Sequence, residues 1–493
     1  MNIRRVRRMS SQPIDPALIT DTANRLLEEF HLPGLSVGVV SGNDLIYAEG
    51  FGWADIASKR AQDPSLHQRI GSITKTMVCL CAMALVDEGK LSLDDRIADL
   101  IPDLQLNGHG DTLTLWNLLT HTGGIGEAPT VADAADPISV LWSDGPDIPP
   151  IPEKYPDGIT IDVEPGTKWH YANHGWMLVG EIVARAEGAT IEEVLERRIW
   201  APLGMTVTDN YDRPGDRLTT GYHHTPSHEE LDQLEFLGKA FSGEPEDGHN
   251  FRGQWVYVNG RAAGSVHSNI PDMARYASAL LNNGSGIVKP ETFAEMLKPQ
   301  WCPDDRLGSL GLSFFRSNQY GEFVFGHGGG IAGGWNTDLT IIPGRNLGMM
   351  VHLNASLDVS GEVYSQLLQA VLGADAPTLP NIALDPEVLN AAPGVYSMPA
   401  GKLTNSRPIR THGRLQITEE DGELILRSRR GALRNGVRLL PADASDPFFL
   451  ALDTPAIQKP EIALVTDDDG HVTGIRMARL AWMDRDDSLT PWA

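Results

Sequence analysis

Only one serine in this chain has a lysine three residues downstream, and it stands where an apolar helical run begins: Arg69-Ile70-Gly71-Ser72-Ile73-Thr74-Lys75-Thr76-Met77. On a helix, residues i and i+3 share a face, so the Lys75 amine can hang beside the Ser72 hydroxyl. A serine alcohol becomes a useful nucleophile when a neighbouring base takes its proton, and a lysine held neutral by burial or nearby cations can be that base. The free N–H groups of a helix N-terminus add a place where negative charge on oxygen is favoured. The segment predicts acyl transfer on Ser72. A serine at a helix start is also a common cap, so other segments must carry part of the inference.

The segment Trp169-His170-Tyr171-Ala172-Asn173-His174-Gly175-Trp176 leads into the periodic run Met177–Arg185. Tyr171 supplies a phenol that can relay protons, and Asn173 an amide that can bond Lys75 or a substrate carbonyl. A second Tyr-x-Asn occurs at Tyr257-Val258-Asn259. Tyr171 is preferred because it lies between the Pro165-Gly166 turn and a helix, whereas Gln254–Val258 alternates like a strand.

Phe323-Val324-Phe325 runs into Gly326-His327-Gly328-Gly329-Gly330, and Asp338–Pro343 and Gly348–Leu353 read as two more strands. Consecutive glycines weaken a strand but let another backbone or a substrate come close. A phosphate loop is excluded, since no Gly-Lys-Ser/Thr ends the run and strands follow it. Leu115–Leu119 reads as a helix stopped at Thr120-His121-Thr122-Gly123, with His121 a structural hydrogen-bonder.

Taken in order, these segments resemble the serine beta-lactamase-like superfamily, in its class C beta-lactamase, esterase and D-aminopeptidase branch (peptidase family S12). That pattern is Ser-x-x-Lys, then Tyr-x-Asn, then a Lys-Thr-Gly or His-x-Gly triplet on a strand. Asp87–Asp95, Leu118–Ile125 and Ala262–Arg275 are similar to family stretches as well, so the resemblance spans roughly residues 15 to 375. It implies an α+β fold, an antiparallel sheet flanked by helices with an all-helical subdomain. It also implies roles: Ser72 as nucleophile, Lys75 as proton acceptor, Tyr171 as shared acid and base, and Asn173 with His327, Gly328 and Gly329 as substrate-binding residues. The oxyanion hole would be the backbone N–H groups of Ser72 and Gly330. No cofactor and no metal ion are implied.

His327 departs from the beta-lactamase triplet, which begins with lysine. Histidine is largely neutral near pH 7, so it suits a beta-lactam carboxylate poorly. The expected activity is cleavage of small esters, amides or peptides, including D-residue substrates. The alternatives are a beta-lactamase or DD-peptidase, and a non-catalytic penicillin-binding-type protein.

Composition limits the partners. The formal net charge of −25 argues against nucleic acid and anionic membranes, leaving a small-molecule substrate, with a homo-oligomer left open. Residues 1–13 carry cations without a following apolar segment, which predicts a cytoplasmic chain. Cys79, Cys81 and Cys302 form no disulfide framework, and the first two read as core residues. The Pro-rich stretch 144–158 and the segment 221–230 read as surface loops. His224 and His228 could suggest a metal pair, but Pro226 interrupts any helix between them.

Past residue 375 the texture changes. A linker is expected over 376–386, after a tail at 1–14 and a catalytic domain at 15–375. Alternating runs at Arg414–Thr418, Glu423–Arg427 and Val472–Met477, with Asp421-Gly422 and Asp469-Gly470 as turn signals, predict an antiparallel β-barrel-like domain over 387–493. It resembles the lipocalin-like C-terminal domain of some family members.

Overall fold

The computed structural model describes residues 14–126, 142–143, 147–209, 215–224, 245–331, 333–356, 360–398, 413–429, 433–454, 460–477 and 481–492. The basic stretch 1–13 and His228 lie outside these residues.

Helix α1 (Pro16–Glu29) starts at Asp15, whose carboxylate accepts from the N–H groups of Ala17 and Leu18, with Pro16 in the first turn. It buries Ile19, Ala23 and Leu26 against a sheet. That sheet contains β1 (Gly34–Ser41), β2 (Asp44–Asp55), β3 (Arg60–Ala61), β4 (Ser309–Leu310), β5 (Phe315–Gln319), β6 (Glu322–Ile331), β7 (Trp335–Ile342) and β8 (Leu347–Leu353). Its order is β4-β5-β6-β7-β8-β1-β2-β3, and every pairing is antiparallel. Alternation divides the side chains of β1: Val37 and Val39 join the α1 core, while Val40 joins the core on the other face.

Three longer helices contribute much of that second core. Helix α2 (Thr74–Asp87) is buried from Thr74 through Leu85, as a helix apolar on all sides must be. Cys79 and Cys81 are core residues within it. Helix α3 (Asn173–Glu187) packs on α2. Helix α4 (Ile270–Leu281), capped by Asn269 accepting from the Asp272 N–H at 2.9 Å, lies against β1 and β8. Helix α5 (Ser360–Leu372) returns beside α1.

The C-terminal region is a closed eight-stranded antiparallel barrel: β9 (Gly394–Ser397), β10 (Leu415–Glu420), β11 (Glu423–Ser428), β12 (Val437–Pro441), β13 (Phe449–Leu452), β14 (Glu461–Thr466), β15 (Val472–Met477) and β16 (Ala481–Arg485). The Asp421-Gly422 turn has both φ values positive, 53° and 85°, the conformation that favours this dipeptide between paired strands. Inward residues such as Leu415, Ile417, Leu426, Leu450, Ile462 and Ile475 form one packed core. Helix α6 (Pro386–Ala391) adds Val388 to it. An eight-stranded barrel is just wide enough for side chains to fill.

Two stretches are less superficial than their composition suggests. Within 147–158, Ile151–Lys154 forms a helical turn, and Ile151 and Tyr155 enter the large core. Tyr155 hydroxyl and His174 Nε2 are 2.8 Å apart. Within 221–224, Tyr222–His224 is a strand with Tyr222 buried and its hydroxyl accepting from the Ile56 N–H at 2.8 Å. Proline and histidine content marked these as loops, but a few apolar anchors decide their burial.

Candidate active site

Ser72 sits in a 3₁₀ turn, Gly71–Ile73, that runs directly into α2. The turn is over-determined. Gly71 has φ +53°, a left-handed conformation that favours glycine. The Thr74 hydroxyl donates to the Gly71 carbonyl at 2.7 Å, and the Ile70 N–H donates to the Val266 carbonyl at 2.9 Å. Ser72 is half-buried, whereas Lys75 is fully buried.

Lys75 Nζ donates to Ser72 Oγ at 2.9 Å, to Asn173 Oδ1 at 2.8 Å and to the Ala263 carbonyl at 2.5 Å. Of these partners, the two carbonyl-type oxygens can only accept, while the serine hydroxyl can accept or donate. A neutral Lys75 therefore keeps its two N–H bonds on Asn173 and Ala263 and turns its lone pair to the Ser72 proton. That is the arrangement a general base needs. Asn173 reaches this position because it is the first residue of α3. The Ala263 carbonyl was not legible in the sequence, since a backbone oxygen leaves no residue-type signal.

Tyr171 lies two residues before α3, with its ring centroid 5.0 Å from Lys75 Nζ. His121 supports it: the two rings stack at 4.3 Å, the His170 N–H donates to the His121 carbonyl at 2.8 Å, and the Ala172 N–H points at His121 Nδ1 at 3.1 Å. His121 is thus a structural partner, as its turn position predicted. The rival Tyr257 pairs on a two-residue ladder with Trp142–Ser143.

The glycine strand β6 forms the opposite wall. Its pairing with β5 ends at Phe315↔Gly326, so residues 327–331 pass beyond β5 and meet the nucleophile turn. A methyl group on Gly329 would overlap the Ile70 carbonyl oxygen, and one on Gly71 would stand 2.7 Å from the Gly330 nitrogen. These glycines let the strand and the turn touch, placing the Gly330 amide beside the Ser72 turn. Gly328 has no such neighbour, its nearest being the Thr337 carbonyl oxygen at 3.7 Å. The need for glycine at 329 is therefore met by packing, ahead of any contact with substrate.

His327 is buried on β6, with Nδ1 2.5 Å from the Gly328 carbonyl oxygen and its ring 5.0 Å from Phe315. A carbonyl only accepts, so this contact puts a proton on Nδ1. In the neutral imidazole Nε2 is then an acceptor, where a lysine would offer a permanent cation. Trp169 and Phe315, 6.4 Å apart, add an aromatic wall that the motifs did not announce. His224 Nδ1 is 3.2 Å from Asn250 Oδ1. Among the described residues, no helix is long and apolar enough to cross a membrane.

The barrel reaches the loop that carries Tyr171. Lys168 Nζ is 3.5 Å from Asp484 Oδ2 and 4.0 Å from the centre of the Trp482 ring. Trp482 is covered on its own side by Arg476, also at 4.0 Å, and donates from Nε1 to Asp484 Oδ1 at 2.6 Å. A second contact joins Arg306 to Asp446 at 3.1 Å and to the Leu464 carbonyl at 3.1 Å.

Comparison with known proteins places this geometry. The family model described as Beta-lactamase matches residues 19–371. The unguisins hydrolase ungD' of Aspergillus campestris is 23% identical over 375 residues, 70% of this chain, and the chain spans 63% of that relative's length. Among solved structures, the octameric penicillin-binding protein homologue from Pyrococcus abyssi matches with a TM-score of 0.61 at 21% identity, covering 95% of this chain and 98% of its own. The D-amino acid amidase from Ochrobactrum anthropi matches with a TM-score of 0.61 at 23% identity, covering 72% and 99%. At such identities the two structures establish likeness of fold.

Proposed function

The chain belongs to the Beta-lactamase family, and on that premise we propose that it is a serine hydrolase cleaving small esters, amides or peptides through an acyl-enzyme on Ser72. The observation that carries this reading is the buried Lys75 amine 2.9 Å from Ser72 Oγ, with two acceptor-only partners fixing its other bonds.

In acylation, Ser72 Oγ attacks the substrate carbonyl carbon and its proton passes to Lys75. The oxyanion is held by the N–H groups of Ser72 and Gly330; one such donor is worth about 3 kcal/mol in other enzymes. Collapse breaks the C–N or C–O bond, and the leaving group takes a proton relayed by Lys75 and Tyr171. Water then attacks the ester, gives its proton to the same pair, and Ser72 regains its own. Asn173 orients Lys75, and His327 accepts a hydrogen bond from a substrate N–H.

That last role favours substrates carrying an amine or amide, and the likeness to a D-amino acid amidase supports D residues among them. A strong beta-lactamase or DD-peptidase activity is less well supported, because His327 brings no permanent cation. We assign residues 15–375 to catalysis, 376–386 to a linker, and 387–493 to the barrel as a docking module, which its contacts to Lys168 and Arg306 support. The octameric state named for the Pyrococcus homologue supports self-association, which light scattering would test. The reading as a whole is tested with a panel of p-nitrophenyl esters and D- and L-amino acid amides. Turnover of at least one class is expected; none turned over, with Ser72 unlabelled by a fluorophosphonate, would overturn it.

A further inference from the structure

Three residues before Ser72, Arg69 is 2% exposed, and among the described residues it forms no ion pair. Burial alone pulls its guanidinium down to about 9, with no neighbouring carboxylate contributing. Its Cζ lies 4.4 Å from the centre of the Trp255 ring and 5.8 Å from that of Trp335, and Nη1 donates to the Val256 carbonyl at 2.6 Å. Arg69 Nε has no hydrogen-bond partner, and neither does the buried Trp255 Nε1. Both residues line one void of about 10 Å³, whose walls also include Ile148, Tyr257, Arg261 and Ser265. Arg261 is compensated by Glu192 at 2.5 Å, and the Ser265 hydroxyl donates to the Arg261 carbonyl at 2.8 Å.

A buried, uncompensated cation is unfavourable, and each buried donor without a partner adds to that cost. Both orphaned groups are donors, so what is missing is an acceptor, and the nearby charge asks for a negative one. The void holds about one water-sized sphere, which excludes phosphate or sulfate. A water molecule would fit the space but would leave the guanidinium charge unanswered.

We propose that this void is a site for a monovalent anion of halide size held by Arg69 Nε and Trp255 Nε1, supplied by a free halide ion or by one carboxylate oxygen of the substrate. The strand Gln68–Arg69 leads directly into the Gly71–Ile73 turn, so occupancy stiffens the support of the nucleophile. The carboxylate source rests on the hydrolase reading above; the halide source does not.

The test is thermal unfolding of the full chain in sodium bromide against sodium gluconate at constant ionic strength. Wild type is expected to gain stability saturably with bromide. Trp255→Phe keeps a ring under Arg69 but loses the Nε1 donor, and should raise the half-saturating bromide concentration on the order of tenfold, as loss of one charge-assisted bond does. Crystals grown in bromide should show an anomalous peak between the two nitrogens. Melting no more sensitive to bromide than to gluconate, a bromide effect untouched by Trp255→Phe, or a crystal with water alone in the void overturns the proposal. An N-acyl amino acid and its amide then identify the source: displacement of bromide by the acid alone assigns the substrate carboxylate, and no displacement by either assigns the free halide. Binding is read here without turnover, so an inactive chain would refute the hydrolase reading and leave the anion result standing.

Discussion

Lys75 Nζ and Asn173 Oδ1, separated by 98 residues of chain, lie 2.8 Å apart. That bond ties the start of α3 to the first turn of α2 and orients the lysine amine. Lys75→Met should lower kcat/KM by about 10³-fold, the range of a lost general base. Asn173→Ala leaves the base but frees its orientation, and should cost on the order of tenfold to a hundredfold. Steady-state kinetics on one ester substrate checks both; a larger loss in Asn173→Ala than in Lys75→Met would contradict the assignment.

The glycine strand gives a paired test one residue apart. Gly329→Ala pushes a methyl group into the Ile70 carbonyl, so strand and turn must separate. The expected cost is about 1–3 kcal/mol in chemical denaturation, with loss of turnover. Gly328→Ala meets only ordinary contact distances and should stay within about 1 kcal/mol of wild type. Equal destabilisation by the two would refute the close approach.

Acid sensitivity follows from two histidines. Burial pulls His223 and His352 from 6.5 down to about 3. Above pH 6.5 both are neutral in either state and pH has no effect through them. As pH falls from 6.5 toward 3, the unfolded chain takes up protons that the folded chain refuses. Stability therefore drops by about 1.4 kcal/mol per pH unit for each. His352→Gln should flatten the stability profile between pH 6 and 4 by that slope, as measured by urea denaturation at each pH; an unchanged slope would count against it.

The barrel should matter to catalysis through one contact. Trp482→Leu removes the surface over which Lys168 lies, three residues from Tyr171. We expect kcat to fall several-fold with KM nearly constant, and hydrogen exchange to quicken over residues 167–172. Normal kcat with normal exchange would make the barrel a passive appendage.

How much of this was legible beforehand depends on the kind of signal. Ser72, Lys75, Tyr171 and Asn173 could be read because each brings a functional group at a spacing that local structure turns into proximity. The barrel was legible from period-two runs broken by Asp-Gly turns. Less visible were the contacts made by backbone: the Ala263 carbonyl on Lys75, and the Ile70 carbonyl behind Gly329. Tyr155 and Tyr222 were lost among prolines and histidines because burial of a single aromatic anchor has no periodicity. Arg69 carries no signal of its own in the sequence, since only the fold reveals that among the described residues no carboxylate pairs with it.

The central claim is that Ser72 carries the acyl group, and mass spectrometry of the intact chain after fluorophosphonate treatment tests it most directly. Wild type should gain one adduct, mapped by peptide digestion to Ser72, and Ser72→Ala should gain none and lose ester turnover by several orders of magnitude. An adduct on another residue, or hydrolysis retained in Ser72→Ala, would contradict it.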